Sequence, residues 1–336
     1  MLLFSISDYV TTLDYQYATY IKSAYAQSTS RNFYATWTLF IQFTMDYKLQ
    51  LFPPSYQTLS RYFIHVIHTK SLVHSSFVNL KSSIKTFYSC YGYNVNMDHP
   101  SLKLITMSSK RTNNRDANKK EPLTPEHILQ FDSLRDKQDP VQSTAYAAIV
   151  FGFFTALRKS NIAPPSVADY DPQKHLSRRD IVFNDSGFAV NLQWTKTLQD
   201  QSKSFSIPVA KPPPDSPLDP VAIVTEFFTS HPVRPSDPAF SFYDHQKLYV
   251  LTQSYLNKVI KDWAQALGLD PLNFSCHSIR RGSASLMAHS GVRTELLKCH
   301  GTWSSAAYQG YIDFTQSQKL SVTQDMYKAI KSGCYK

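Results

Sequence analysis

The sequence predicts a mainly α-helical chain with a small β-sheet, an α+β fold in two domains. Apolar residues recur at helical spacing through residues 1–106, whereas residues 107–122 are basic and poor in apolar side chains. In residues 123–336, two runs with β-strand character interrupt a series of helices. At roughly 100–200 residues per domain, 336 residues also suggest two domains.

The N-terminal domain is predicted to be a bundle of four or five helices. Pro53 and Pro54 break the chain between two helical stripes, and Gly92 ends another. The predicted helices cover approximately residues 13–25, 29–47, 59–67 and 77–87. Lys70, Lys81 and Lys85 are predicted to lie on the helical surface.

Residues 107–122 are predicted to form an exposed linker, because they carry no strong apolar residue beyond Met107. Residues 1–120 hold 13 Lys and Arg against 5 Asp and Glu, whereas residues 121–336 hold 22 against 20. A basic half suggests contact with a polyanion such as nucleic acid. A nuclear-import signal or a merely solvated tether are the alternatives for this segment. Its basic residues are Lys110, Arg111, Arg115, Lys119 and Lys120.

The C-terminal domain begins with a helix signal at Thr124-Pro-Glu, a cap residue followed by proline and an acid. An apolar, buried helix is predicted over residues 141–157. Residues 187–194 and 205–209 are predicted to form a β-hairpin with a long polar tip. Further helices are predicted over residues 221–229, 253–267, 278–290 and 294–299, from 304 onward, and in a C-terminal tail.

Several classes of protein are poorly supported by the composition. No run approaches the roughly 18–20 apolar residues of a membrane helix. The four cysteines are far apart, unlike a zinc site or a secreted disulfide scaffold. We therefore expect a soluble basic protein from a reducing compartment, with no membrane partner, metal or cofactor.

Four short motifs could carry chemistry, although each has an ordinary structural alternative. Arg158 ends the apolar helix, where it could simply cap the helix C-terminus. His277 and Arg280 are three residues apart and project from one helical face. Gly301-Thr-Trp303 precedes Tyr311 by eight residues, in a chain that has 21 tyrosines.

The order of these motifs is far more specific than any one of them. This order resembles that of the tyrosine recombinases of the phage-integrase superfamily. It consists of an arginine, a lysine in the hairpin (Lys196), His-x-x-Arg, Gly-x-Trp and a tyrosine. The runs Cys276-His-Ser-Ile-Arg-Arg-Gly-Ser-Ala-Ser and His300-Gly-Thr-Trp-Ser-Ser-Ala-Ala-Tyr-Gln-Gly-Tyr-Ile look most like the Crypton and DIRS-type mobile-element branch. The resemblance covers nearly the whole chain.

This resemblance implies site-specific strand exchange on double-stranded DNA through a covalent 3′-phosphotyrosine. Tyr311 would be the nucleophile, and Arg158 and Arg280 would clamp the phosphate because guanidinium forks onto its oxygens. His277 would assist proton transfer or position the phosphate, and Lys196 would protonate the departing 5′-oxygen. Trp303 would donate its indole N–H. The resemblance also implies a metal-independent reaction, a tetramer on two duplexes and, in a eukaryote, a nuclear location.

Alternatives remain at several positions. Thr302 or His300 could take the role given to Trp303, and Tyr308 could replace Tyr311 as nucleophile. Lys203 competes with Lys196. Many members of the superfamily carry an acid where this chain has Asn161. A co-opted DNA-binding protein without catalysis, or a type IB topoisomerase, are the alternative functions.

Overall fold

A computed structural model describes residues 24–113, 119–193, 205–303 and 306–312, with residues 320, 323, 324, 326–328, 330 and 331. The chain divides into two compact units, Met1–Ala117 and Asn118–Lys336, and each is described by itself. Helices and a small antiparallel sheet make up the described chain, so the predicted fold class is confirmed. The predicted helix over residues 13–25 lies outside the described residues.

The N-terminal unit packs four described helices around an aromatic core. Ser55 caps the second helix, where its side chain accepts a hydrogen bond from the Thr58 amide. Phe40, Phe63 and Phe77 are fully buried in this core. The helices are α1 (Gln27–Asp46), α2 (Tyr56–Thr69), α3 (His74–Cys90) and α4 (Pro100–Thr112).

Helix α4 was not predicted, and it corrects the predicted linker. Proline at its first position favours a helix start, and Leu102 anchors the helix in the core. Residues 107–112 continue this helix, and Ser109 is the one buried residue among them, while the other five are exposed as predicted. Lys110 and Arg111 lie in its last turn, where their charges favour the helix dipole.

The prediction that Lys81 lies on the helical surface is wrong. Lys81 is only 9% exposed, and its ammonium group donates a 3.0 Å hydrogen bond to the Thr106 hydroxyl on α4. Lys85 follows one turn later on α3 and is exposed. The difference arises because α4 crosses α3 at Lys81.

The C-terminal unit is built around one long apolar helix. Eleven of the twelve residues of α6 from Thr144 to Thr155 are buried, because neighbouring elements cover this helix on several sides. The helices are α5 (Pro125–Leu134), α6 (Pro140–Thr155), the short α7 (Lys159–Ile162), α8 (Pro220–Ser230), α9 (Gln253–Ala266), α10 (Cys276–His289) and α11 (Thr294–His300). The segment 306–311, predicted as an α-helix, is a 3₁₀ turn.

A three-stranded antiparallel sheet contains the predicted hairpin. Strands β2 (Gly187–Leu192) and β3 (Phe205–Ala210) pair with Val190 opposite Ile207. A third strand that was not predicted, β1 (Ile181–Asn184), pairs with β2. A separate two-stranded ribbon, β4 (Ser241–Asp244) and β5 (Lys247–Val250), precedes α9. The described helices include none long and apolar enough to cross a membrane.

We predict that Lys81→Met leaves the folded state within about 1.5 kcal/mol of the wild type at pH 7, since methionine fills a similar volume. Burial lowers the pKa of Lys81, so between its folded and unfolded pKa values the unfolded chain binds more protons. The wild type therefore gains stability relative to the variant as the pH rises towards 10. Urea denaturation at pH 7 and pH 10 measures this, with Lys85→Met as the control for loss of one charge. A constant difference across the two pH values would contradict the prediction.

Candidate active site

Helix α10 carries His277 and Arg280 and starts at a well-formed cap. The Ser275 hydroxyl accepts a hydrogen bond from the His277 amide at 3.2 Å, and the Ser278 hydroxyl accepts one from the Ser275 amide at 3.0 Å. Gly282 lies where α10 approaches the Leu123 backbone, since a Cβ at this position would sit 1.8 Å from the Leu123 carbonyl oxygen. The helix is therefore fixed at both its start and its middle.

Arg280 is the most enclosed charge of the site, with only 2% of its surface exposed. Its Nη1 donates to the Ala156 carbonyl and its Nη2 donates to the Gly301 carbonyl at 2.6 Å. The guanidinium also lies 4.1 Å from the centre of the Trp303 ring. Two carbonyl dipoles and an aromatic face offset much of the cost of removing this cation from water.

Arg158 lies three residues after the end of α6 at Thr155. Ala156 ends that helix in the left-handed conformation, with φ of 51°, and so turns the chain toward the site. Arg158 is half-buried, and its Nη1 donates to the Thr302 hydroxyl at 3.3 Å. The structure thus brings Arg158 and Arg280 to the same turn, residues 300–303.

Within this turn, His300, Thr302 and Trp303 make different contacts. These are the three candidates for the role that the sequence analysis gives to Trp303. The His300 Nε2 forms a 2.7 Å hydrogen bond with the Phe154 carbonyl oxygen, so the imidazole holds the turn against α6. Thr302 contacts Arg158 and adopts φ of 54°, an unusual conformation for a β-branched residue. Trp303 packs on Arg280.

His277 is exposed at the first turn of α10. Desolvation by the surrounding protein lowers the pKa of His277, and the positive charges of Lys159 and Arg280 lower it further. A lowered pKa favours the neutral imidazole at pH 7, the form that can accept a proton. Lys159 is exposed and begins α7 directly after Arg158.

The two candidate tyrosines share the 3₁₀ turn Ala306–Tyr311. Tyr308 is only 8% exposed, with its ring centre 6.4 Å from that of Trp303 and 5.6 Å from the Lys298 ammonium nitrogen. The backbone of Tyr311 ends the turn, while its side chain lies outside the described part of the structure. The Gly310 carbonyl, directly before Tyr311, accepts a 3.2 Å hydrogen bond from Arg281 Nη1.

Several other predicted residues are not brought to this site or cannot be placed. Lys196 and its competitor Lys203 lie outside the described residues. Lys119 is exposed, and Lys120 donates a hydrogen bond to the Leu272 carbonyl within the C-terminal unit. Among the residues of the N-terminal unit that were predicted to contact DNA, Lys70, Lys85, Lys110 and Arg111 are exposed. Within the described residues, no group of three or more His, Cys, Asp or Glu side chains could hold a metal ion.

Three contacting residues were not among the predicted site residues. Lys159 directly follows Arg158, and Arg281 directly follows Arg280. Their positions next to predicted site residues were the only sequence signal that they lie near the site. Ala156 contributes only its carbonyl, for which an alanine side chain gives no signal.

The sequence matches no protein-family model and no curated protein sequence. Solved structures do match the fold. The Tn1549 transposon integrase in complex with circular intermediate DNA has a TM-score of 0.58 at 17% identity, covering 92% of this chain and 98% of that chain. The XerH site-specific recombinase bound to palindromic difH substrate, in a post-cleavage complex, has a TM-score of 0.55 at 16% identity, covering 87% and 76%.

A lambda integrase (75–356) dimer bound to a COC′ core site has a TM-score of 0.54 at 12% identity, covering 90% of this chain and 94% of that chain. These similarities extend over both units of the chain. The chain therefore has the fold of the tyrosine recombinases.

We predict that Lys159→Met raises the pKa of His277, because it removes a neighbouring positive charge that disfavours the imidazolium form. An NMR titration of the His277 ring measures the change. Lys247→Met, which removes an exposed lysine on β5, is the control. An equal His277 pKa in the Lys159→Met variant and the wild type would contradict the prediction.

Proposed function

We propose that this protein is a tyrosine recombinase that breaks and rejoins double-stranded DNA through a covalent 3′-phosphotyrosine. The observation that carries the proposal is the convergence of Arg158 and Arg280 on one turn, residues 300–303. The Tyr311 backbone ends the next described turn, and α10 contacts both turns. Recombinase folds and the order of the sequence motifs support the same conclusion.

In the proposed reaction the Tyr311 oxygen attacks a backbone phosphorus and the bond to the 5′-oxygen breaks. The phenol proton passes to a base, and the 5′-oxygen takes up a proton to become a hydroxyl. The new phosphotyrosine bond keeps the energy of the broken linkage, so a second DNA 5′-hydroxyl can reverse the attack and join a new strand. No high-energy cofactor is required.

The two arginines differ in exposure, which suggests different contributions. Arg158 is half-buried and is the better placed to bond the phosphate oxygens directly. Arg280 is enclosed behind the 300–303 turn, so its charge acts in a medium of low dielectric constant. A direct phosphate bond from Arg280 requires the 300–303 turn to move. Both cations favour the transition state, in which negative charge increases at phosphorus.

His277 and Lys196 are proposed to handle protons. The lowered pKa of His277 keeps its imidazole neutral and able to accept the phenol proton. Lys196 is proposed to donate the proton to the departing 5′-oxygen, as its place between β2 and β3 in the motif order suggests. Trp303 supports the site through its contact with Arg280.

The biological context is also part of the proposal. The similarity of the motif sequences to Crypton and DIRS-type recombinases supports a role in the integration or excision of a mobile element. This would take place in the nucleus if the host is eukaryotic. We also propose assembly into a tetramer on two duplexes. Exposed apolar side chains late in the chain support such self-association, namely Leu320, Met326, Tyr327 and Ile330.

We predict that the wild type forms a covalent adduct with a nicked suicide substrate, whose short cleaved strand diffuses away and traps the protein on DNA. Tyr311→Phe removes the nucleophile and abolishes the adduct. Tyr308→Phe keeps the ring that packs near Trp303, so we expect it to retain the adduct. Denaturing gel electrophoresis of labelled DNA measures each adduct.

Two outcomes of this experiment, and a third from a plasmid relaxation assay, would count against the proposal. An adduct that survives Tyr311→Phe would move the nucleophile to another residue. Wild-type DNA binding without an adduct would instead favour a co-opted DNA-binding protein that has lost catalysis. Relaxation of supercoiled plasmid by a monomer would favour a type IB topoisomerase.

We predict that Lys85→Met weakens DNA binding, whereas Lys81→Met does not. Exposed Lys85 can neutralise a phosphate, so its loss should lower the salt dependence of the binding constant by about one ion. Lys81 already donates to Thr106 under α4. Binding constants measured from about 50 to 200 mM salt compare the two variants. Equal salt slopes in both variants would refute a DNA contact by Lys85.

A further inference from the structure

Arg281 links α10 to the turn that ends at Tyr311. It lies on α10 directly after Arg280 and is 7% exposed. Its Nη1 is 3.2 Å from the Gly310 carbonyl oxygen. That carbonyl belongs to the peptide unit whose nitrogen is the Tyr311 amide, so the bond restrains the plane from which the Tyr311 backbone starts.

We propose that Arg281 is a positioning residue that holds the Tyr311 turn at a fixed distance from Arg158 and Arg280. This inference rests on the proposed function, because it concerns the placement of the proposed nucleophile. In this proposal Arg281 acts on Tyr311 through the Gly310 carbonyl.

The geometry of a helix makes this arrangement effective. Adjacent helical residues point about 100° apart, so Arg280 and Arg281 leave the same short stretch of α10 in different directions. Arg280 reaches Ala156 and Gly301, whereas Arg281 reaches Gly310. One rigid helix thereby fixes both the phosphate side and the nucleophile side of the reaction.

The main chain is the only part of residue 310 that can be held, because glycine has no side chain. A Cβ built at Gly310 would meet no atom within 4 Å, so no neighbouring group packs against the side of the backbone where a side chain would lie. At the other end of the turn, Tyr308 packs with Trp303 and Leu297 in a small apolar cluster. Ile312, directly after Tyr311, packs against the same cluster. The Arg281 bond therefore adds a polar restraint on the peptide unit between Gly310 and Tyr311, which lies between these two apolar contacts.

The requirement for such a restraint is quantitative. Attack on phosphorus needs the oxygen within about 3–3.5 Å and in line, and a misplacement of about 1 Å can cost about 10²-fold in rate. We therefore expect Arg281→Met to slow formation of the tyrosine adduct by about 10²-fold under single-turnover conditions. DNA affinity should remain unchanged.

A diffusible nucleophile separates placement of Tyr311 from activation of the phosphate. In the Tyr311→Phe background, hydroperoxide can attack the phosphorus in place of the missing phenol, and the bond to the 5′-oxygen still breaks. This attack does not use the turn that Arg281 holds. We expect Tyr311→Phe and the double variant Tyr311→Phe/Arg281→Met to cleave DNA with hydroperoxide at equal rates.

Arg179→Met is the matched control, because it removes an exposed arginine from the same unit. Thermal unfolding reports whether each variant is folded. If Arg281→Met does not fold, Arg281→Lys answers the same question, since lysine keeps the charge but cannot reproduce the guanidinium geometry. We expect Arg281→Lys to slow adduct formation while leaving cleavage by hydroperoxide unchanged in its Tyr311→Phe background.

Two results would overturn the inference while the wild type still forms its adduct. One is a normal adduct rate in a folded Arg281 variant. The other is an equal loss of adduct formation and of hydroperoxide cleavage, which would assign Arg281 to the phosphate site or to folding. A wild type that forms no adduct would overturn the proposed function itself, and this inference with it.

Discussion

The enclosure of the Arg280 charge is the constraint on which the rest of the site depends. A guanidinium with 2% exposure is tolerated only where dipoles surround it, and here the Ala156 and Gly301 carbonyls provide them. Because these carbonyls belong to distant segments, holding the cation also holds the end of α6 against the 300–303 turn. Arg158 and His300 add bonds between the same segments. Removal of Arg280 would therefore leave two carbonyls without this donor as well as removing a charge.

Helical periodicity predicted much of the fold, because burial of one face leaves a regular pattern in the sequence. It could not predict which part of each face a neighbouring helix covers. Lys81 and Lys85 are four residues apart and share a helical face, yet α4 covers only the first of them. Helix α4 itself was assigned partly to a linker because Lys110 and Arg111 made its end look exposed and polar.

The order of the motifs predicted Arg158, Arg280 and Trp303 as site residues, and the fold brings these three residues together at residues 300–303. Their partners were harder to predict, because several are main-chain carbonyls that any residue can provide. Two positions also depend on left-handed backbone, at Ala156 and Thr302. Neither alanine nor threonine favours that conformation, so the turns that aim these groups leave no local signal.

The bonds that assemble the site join residues far apart in the chain. Arg280 meets a carbonyl 124 positions earlier, and Arg158 meets a hydroxyl 144 positions later. Contacts of such long sequence separation require both segments to be present, and closing the long loop between them costs conformational entropy. A chain synthesised only as far as residue 299 therefore contains both arginines but lacks the Gly301 carbonyl and the Thr302 hydroxyl that they contact. A nascent or truncated chain can thus bear the basic N-terminal helices without an assembled site in its C-terminal unit.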